Sequence, residues 1–167
     1  MPVIGMFGMH ALGKTTAVHR WKAKYKDRLD VYPLDDLRRE YPGDKEKLEL
    51  VVRCRESERV CVIESARGFS TWLGSFLPSE PVIGVWCTEP TARRLLMERR
   101  QGKPLTDYWS RQRLEYECKD RYGNFLRKRL TVEQGDLFQI EDRAKDWEIV
   151  DKHFASLFIR LYHTSKK

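Results

Sequence analysis

The sequence predicts an α/β protein of three layers, αβα, around a parallel sheet of five strands, and three observations predict it. Short apolar runs such as Val60-Cys61-Val62-Ile63 and Val82-Ile83-Gly84-Val85 are continuous rather than alternating, as strands covered by helices on both faces are. Between them lie longer stretches with apolar residues at every third or fourth position, the period of an amphipathic helix. Polar clusters stand at the ends of the first three runs, where an open parallel sheet gathers its ligands.

Val3-Ile4-Gly5-Met6-Phe7 is the first strand, and after a glycine loop residues 16–26 form a helix on which Ala17, Trp21 and Tyr25 recur every fourth residue. Residues 29–34 read as the second strand, with Pro33 ending or edging it, and run into Asp35-Asp36. A turn at 41–44 opens a helix whose apolar face is Leu48, Val51 and Val52. The third strand, 59–64, ends on Glu64, and the fourth, 82–87, leads through Thr88-Glu89-Pro90 into a helix with Ala92, Leu95 and Leu96 on one face. Residues 107–122 are helical in pattern but poor in apolar side chains; 137–140 form the last strand, before a helix striped by Val150, Phe154, Leu157 and Leu161.

At 167 residues the chain suits a single domain, 1–167, and no apolar run approaches the roughly 18 residues of a membrane-spanning helix. No basic leader precedes the glycine loop, so a cytoplasmic location is expected, with no membrane and no obligate protein partner. Cys54, Cys61, Cys87 and Cys118 lack metal-ligand spacing and read as free thiols without chemistry. The net charge of +7 is uneven: residues 91–130 hold 12 Lys and Arg against 5 Asp and Glu, and the rest of the chain balances. Such clustering suits a polyanionic partner, or a solvated helical face.

Gly8-Met9-His10-Ala11-Leu12-Gly13-Lys14-Thr15 matches the phosphate-binding pattern G-x-x-x-x-G-K-[ST] in full, after a strand and before a helix, as that loop requires. Successive backbone N–H groups and the positive end of a helix dipole cradle a triphosphate there. Lys14 reaches the β- and γ-phosphates, and the Thr15 hydroxyl is placed for Mg²⁺. His10 stands at a variable position of the loop, and Thr16 is within reach of the α-phosphate. ATP and Mg²⁺ are the expected cofactors.

On these residues the chain resembles the small P-loop kinases, a group that includes adenylate, shikimate and gluconate kinases and phage polynucleotide kinase. Asp35-Asp36-Leu37-Arg38 resembles the D-D-x-R segment of polynucleotide kinases and DNA base-modifying kinases. The resemblance implies that Asp35 accepts the proton of the attacking hydroxyl, with Asp36 as the fallback, and that Arg38 holds a substrate phosphate. Asp36 and Arg67 join Arg38 on the expected substrate side. Either aspartate could instead cap a helix starting at Leu37. Glu64 stands where a Walker B carboxylate holds Mg²⁺, with glutamate in place of the usual aspartate. Arg67 could equally pair with Glu64.

The resemblance also implies a lid at about 93–110, with Arg94 and Arg100 as its phosphate-closing arginines and Arg93 and Arg99 as near-equivalents. Beyond it, Tyr108, Trp109, Tyr116, Tyr122 and Phe125 are set among Arg and Lys, an interleaving that suits a nucleic-acid strand. The leading expectation is an ATP-dependent phosphotransferase acting on a hydroxyl of a nucleic acid or nucleotide, DNA by preference: a polynucleotide 5′-hydroxyl or a hydroxymethylpyrimidine in DNA. The alternatives are a nucleoside, nucleotide or small-metabolite kinase, and a nucleotide-gated binding module with slow ATPase activity.

Overall fold

Hydrogen bonding orders the strands β2-β3-β1-β4-β5, all parallel, in a computed structural model that describes residues 3–8, 11–65, 80–99 and 135–165. The predicted helix at 107–122 and most of the basic stretch 91–130 lie outside the described residues, as do Met9, His10, Arg67, Arg100 and Cys118. The strands are β1 (Val3–Gly8), β2 (Leu29–Tyr32), β3 (Val60–Ser65), β4 (Val82–Trp86) and β5 (Gly135–Gln139). The helices are α1 (Lys14–Tyr25), α2 (Leu34–Glu40), α3 (Asp44–Glu56), α4 (Glu89–Arg99) and α5 (Arg143–Ser165).

β1 is the central strand and is buried along its whole length, between β3 and β4. The chain leaves β1 for β2 on one side, whereas β4 leads to β5 on the other. The strand order therefore reverses beside β1, and its carboxyl end is where such a sheet opens a crevice. Right-handed crossovers running in opposite directions, β1 to β2 and β2 to β3, put α1 and α3 on opposite faces.

Two predicted boundaries move. The second strand stops at Tyr32, because Pro33 is already the N-cap of α2, so Asp35 and Asp36 lie inside the first turn of that helix. Neither aspartate is a cap to a helix beginning at Leu37. On α3 the buried stripe is Leu50, Val51 and Cys54, packed toward β1 and β3, while Leu48 and Val52 are 38% and 43% exposed. Of the predicted face Val51 is buried, while Leu50 and Cys54, a small hydrophobe in such a setting, take the places expected for Leu48 and Val52. Cys54, Cys61 and Cys87 are buried free thiols, and Cys61 Sγ lies 3.8 Å from the Cys54 carbonyl oxygen.

α5 is clamped to α1 by aromatic packing. The rings of Trp21 and Phe154 stack at 3.9 Å with an interplanar angle of 2°, and Tyr25 meets Phe154 and Phe158. The free edge of the indole is satisfied: Trp21 Nε1 donates to Asp151 at 2.7 Å, and Arg20 donates to the same carboxylate at 2.8 and 3.1 Å. Among the described residues no helix is long and apolar enough to cross a membrane.

Phe154 is fully buried in this stack. Replacing it with Ala should cost about 3–5 kcal/mol, the sum of lost transfer energy and an uncollapsed cavity. Denaturant titration of wild type and variant measures it, and a loss under about 1 kcal/mol would mean that the α1–α5 clamp is not a principal support of the fold.

Candidate phosphate-binding site

A cleft of about 480 Å³ opens at the carboxyl end of β1, lined by Ala11, Gly13, Lys14, Thr15, Thr16, Leu34, Asp35, Arg38, Leu95, Glu64, Glu98 and Arg143. Its floor is the turn from β1 into α1. Gly13 has a φ of +94°, a left-handed conformation that a side chain rarely adopts, and any Cβ there would also stand 3.3 Å from Trp147 Nε1. Ala11 shares the positive φ, at +63°. Two such residues bracketing Leu12 bend the chain sharply before the helix starts at Lys14.

Leu12 itself is buried, and its carbonyl accepts a 2.7 Å bond from Trp147 Nε1 of α5. The last helix is thereby tied to the loop. Gly8 ends β1 against β4, where an added Cβ would collide with the Val85 side chain and backbone oxygen.

Lys14 is 6% exposed, and its Nζ donates to the Gly8 carbonyl at 2.9 Å, so the ammonium folds back over the start of the loop. Thr15 Oγ1 donates to Glu64 Oε1 at 2.8 Å and lies 3.0 Å from Oε2. Glu64 is 2% exposed, at the end of β3, and the Leu34 N–H at the head of α2 points at its Oε2 from 3.4 Å. A buried carboxylate is costly unless bonded, and here a hydroxyl and a helix N-terminus face it. The strand pairing Phe7↔Ser65 and Met6↔Glu64 sets this distance, since it brings the end of β3 level with the end of β1.

Asp35 and Arg38, one helical turn apart on α2, line the cleft on the same side as Glu64. Asp36 does not; its carboxylate pairs with Arg39 at 2.9 Å. Arg94 is exposed on α4, donating to Glu98 Oε1 at 3.2 Å and to the Glu141 carbonyl at 2.9 Å, and it is not among the lining residues. Arg93 pairs with Glu89 at 2.7 Å. The helix rotation that buries Ala92 and Leu95 turns both arginines outward.

Sequence reasoning missed Arg143, Glu98 and Trp147. Arg143 starts α5 at the carboxyl end of β5, and a reciprocal cap holds it there. Asp142 Oδ1 accepts from the Ala144 and Lys145 N–H groups at 3.0 and 3.2 Å, while Asp146 Oδ2 accepts from Glu141 and Asp142 N–H at 2.7 and 2.8 Å. The signal was present in Glu-Asp-Arg-Ala-Lys-Asp after the last strand, and Trp147 continues the stripe of Val150 and Phe154 one turn backward.

Glu141 anchors this turn to α4. Its carboxylate accepts from Thr88 N–H at 2.8 Å, Thr88 Oγ1 at 3.0 Å, Gln139 at 2.9 Å and the Thr91 hydroxyl. Burial works to raise its pKa, but the hydrogen bonds from Thr91, Gln139 and Thr88 together outweigh it and hold the group below the ordinary glutamate value. Asp146 is likewise held down, by its two backbone N–H donors at Asp142 and Glu141.

No family model matches the sequence, and a search of the curated proteins finds no match. Solved structures do resemble the fold. The shikimate kinase of Bacteroides thetaiotaomicron superposes with a TM-score of 0.55 at 16% identity, over 99% of both chains. A shikimate kinase from Acinetobacter baumannii in complex with shikimate gives 0.55 at 14% identity, over 93% of this chain and 94% of that one. An uncharacterized protein from Eubacterium ventriosum gives 0.55 at 11% identity, over 93% and 98%. At such identities the likeness is one of fold alone, an α/β architecture around a five-stranded parallel sheet. It lends no support to the narrower resemblance to polynucleotide kinases.

Trp147→Phe keeps the ring and removes the donor to Leu12, leaving a buried carbonyl unpaired; it should cost about 1–3 kcal/mol in thermal or denaturant unfolding, and an unchanged midpoint would show that the tie carries no load. For the α5 turn the sign follows from the depressed folded pKa values. The stability that Glu141 and Asp146 contribute is present above their unfolded values, about 4, and is lost as pH falls through the folded ones. Glu141→Gln should therefore lower stability at neutral pH and flatten the acid limb below about pH 4, read from melting curves between neutral and acid pH.

Proposed function

We propose that this protein is an ATP-dependent kinase that phosphorylates a hydroxyl of a small, anionic metabolite. One observation carries the reading: Lys14 and Thr15, at the head of α1, share a cleft with Asp35 and Arg38 of α2, with Glu64 between the two sets. Phosphoryl transfer asks little of a protein beyond positioning and charge, and these side chains supply both.

The loop and the first turn of α1 suit a polyphosphate, since the backbone at Ala11 and Gly13 is bent for it and Lys14 adds a cation. Thr15 Oγ1 and the Glu64 carboxylate lie within 3.0 Å of each other and form a hard oxygen pair suited to Mg²⁺. Mg²⁺ there would supply charge neutralisation at the β- and γ-oxygens.

Asp35 orients the acceptor hydroxyl and takes its proton as the new O–P bond forms and the bond from Pγ to the bridging oxygen of ADP breaks. Arg38 pairs with an anionic group on the same acceptor. The likeness to shikimate kinases supports a small-metabolite acceptor by fold alone. The charge excess of 91–130 favours a second acceptor class, nucleic acid, through residues mostly outside those described.

Transfer of radiolabelled γ-phosphate across hydroxylated carboxylic acids, nucleosides, oligonucleotides and hydroxymethylated DNA decides between them. Labelling of a small acid is expected; labelling confined to oligonucleotides or DNA would move the assignment to the second class. Lys14→Ala should abolish transfer, and full activity in that variant would remove the phosphate loop from the reaction. Asp35→Asn should cut turnover by about 10²–10⁴ while sparing ATP affinity. If Asp36→Asn is the more damaging change, the acceptor base is the neighbouring aspartate.

A further inference from the structure

The cleft has two unlike walls. Asp35 and Arg38, on the helix after β2, and Glu64, at the end of β3, stand on one side of the phosphate loop, and Leu95, Glu98 and Arg143 belong to elements that follow β4 and β5, on the other. Arg143 lies one turn before Trp147 on the same face of α5. Because the Trp147 indole is tied to the Leu12 carbonyl, that face looks onto the loop, and the Arg143 guanidinium reaches over the cleft from the side away from the acceptor residues.

In the cleft Arg143 Nη2 pairs with Glu98 Oε2 at 3.4 Å, and both side chains are 49% exposed. A long, half-exposed pair is weak. Glu98 also has a second cation, since Arg94 Nη1 lies 3.2 Å from its other oxygen, and Arg94 is braced by the Glu141 carbonyl at 2.9 Å. Glu98 can therefore lose Arg143 without being left unpaired. An arginine at the rim of an anion site, parked on a carboxylate that has another partner, is arranged to be exchanged.

Resting on the reading of the cleft as a nucleotide site, we infer that Arg143 is a polyphosphate-binding residue held in reserve by Glu98. Polyphosphate takes the guanidinium from Glu98, and Glu98 remains on Arg94. Glu98 thus sets the affinity from a distance, by competing with the ligand for one cation. The arrangement predicts opposite signs for the two partners, which a merely structural ion pair does not.

Calorimetric titration of ATP and of inorganic tripolyphosphate, with Mg²⁺, into wild type, Arg143→Ala, Glu98→Gln and the double variant tests this. Arg143→Ala should weaken both ligands about tenfold, the size of one charge-assisted hydrogen bond. Glu98→Gln should tighten both, and the double variant should match Arg143→Ala. The arginine effect should shrink with added salt. Weakening by Glu98→Gln would mean that the pair only braces α4 against α5, and a loss with ATP but not tripolyphosphate would put the guanidinium on the nucleoside; either overturns the inference. Wild type that binds while both variants match it overturns the inference alone, whereas wild type that binds neither ligand removes the nucleotide reading beneath it.

Discussion

The site depends on the turn that takes the chain out of β1 and into α1. That turn needs a residue without a side chain twice. Gly8 lets β1 close against Val85 of β4, and Gly13 supplies a left-handed backbone where a Cβ would press on Trp147. With both in place, Lys14 and Thr15 enter the first turn of α1 facing the crevice, and Leu12 turns its carbonyl to the Trp147 indole. Loop, last helix and central strand are thus one packed unit. A substitution in any of them is felt at the floor of the cleft.

From that floor the two walls acquire different chemistry. On the β3 side a buried glutamate is satisfied by Thr15 and faced by the head of α2, which sets Asp35 and Arg38 at the rim. On the β5 side a capped turn presents Arg143, with Glu141 and Asp146 locked by hydrogen bonds that keep both carboxyls charged. One wall carries a carboxylate and a guanidinium, Asp35 and Arg38, and the other the Arg143 guanidinium beside Glu98. On the proposed reading, this division gives the cleft a direction, from nucleotide to acceptor.

Much of the frame was legible in the sequence because strands buried on both faces must be continuously apolar, and β1, β3 and β4 are. The glycine loop was legible because its backbone path demands glycine at particular spacings, Gly8 and Gly13 among them. What escaped depends on neighbours far along the chain. On α3 the expected Val51 is buried, but Leu48 and Val52 are as apolar as Leu50, and only the sheet beneath decides which of them is covered. Asp35 is set above Asp36 in the sequence only by the family resemblance; the helix that starts at Leu34 turns Asp35 to the cleft and Asp36 to Arg39. Arg143 and Glu98, 45 residues apart, meet only because β4 and β5 are adjacent.

On the proposed function, a nucleoside triphosphate sits at the turn after β1. Backbone amide NMR during titration with a non-hydrolysable ATP analogue and Mg²⁺ addresses it most directly, because each loop N–H reports its own hydrogen bond. The largest shifts are expected at Gly13, Lys14, Thr15 and Thr16, smaller ones at Glu64 and Arg143, and none along the exposed face of α3. Saturating shifts confined to residues away from the cleft, or no shifts at millimolar analogue, would contradict it.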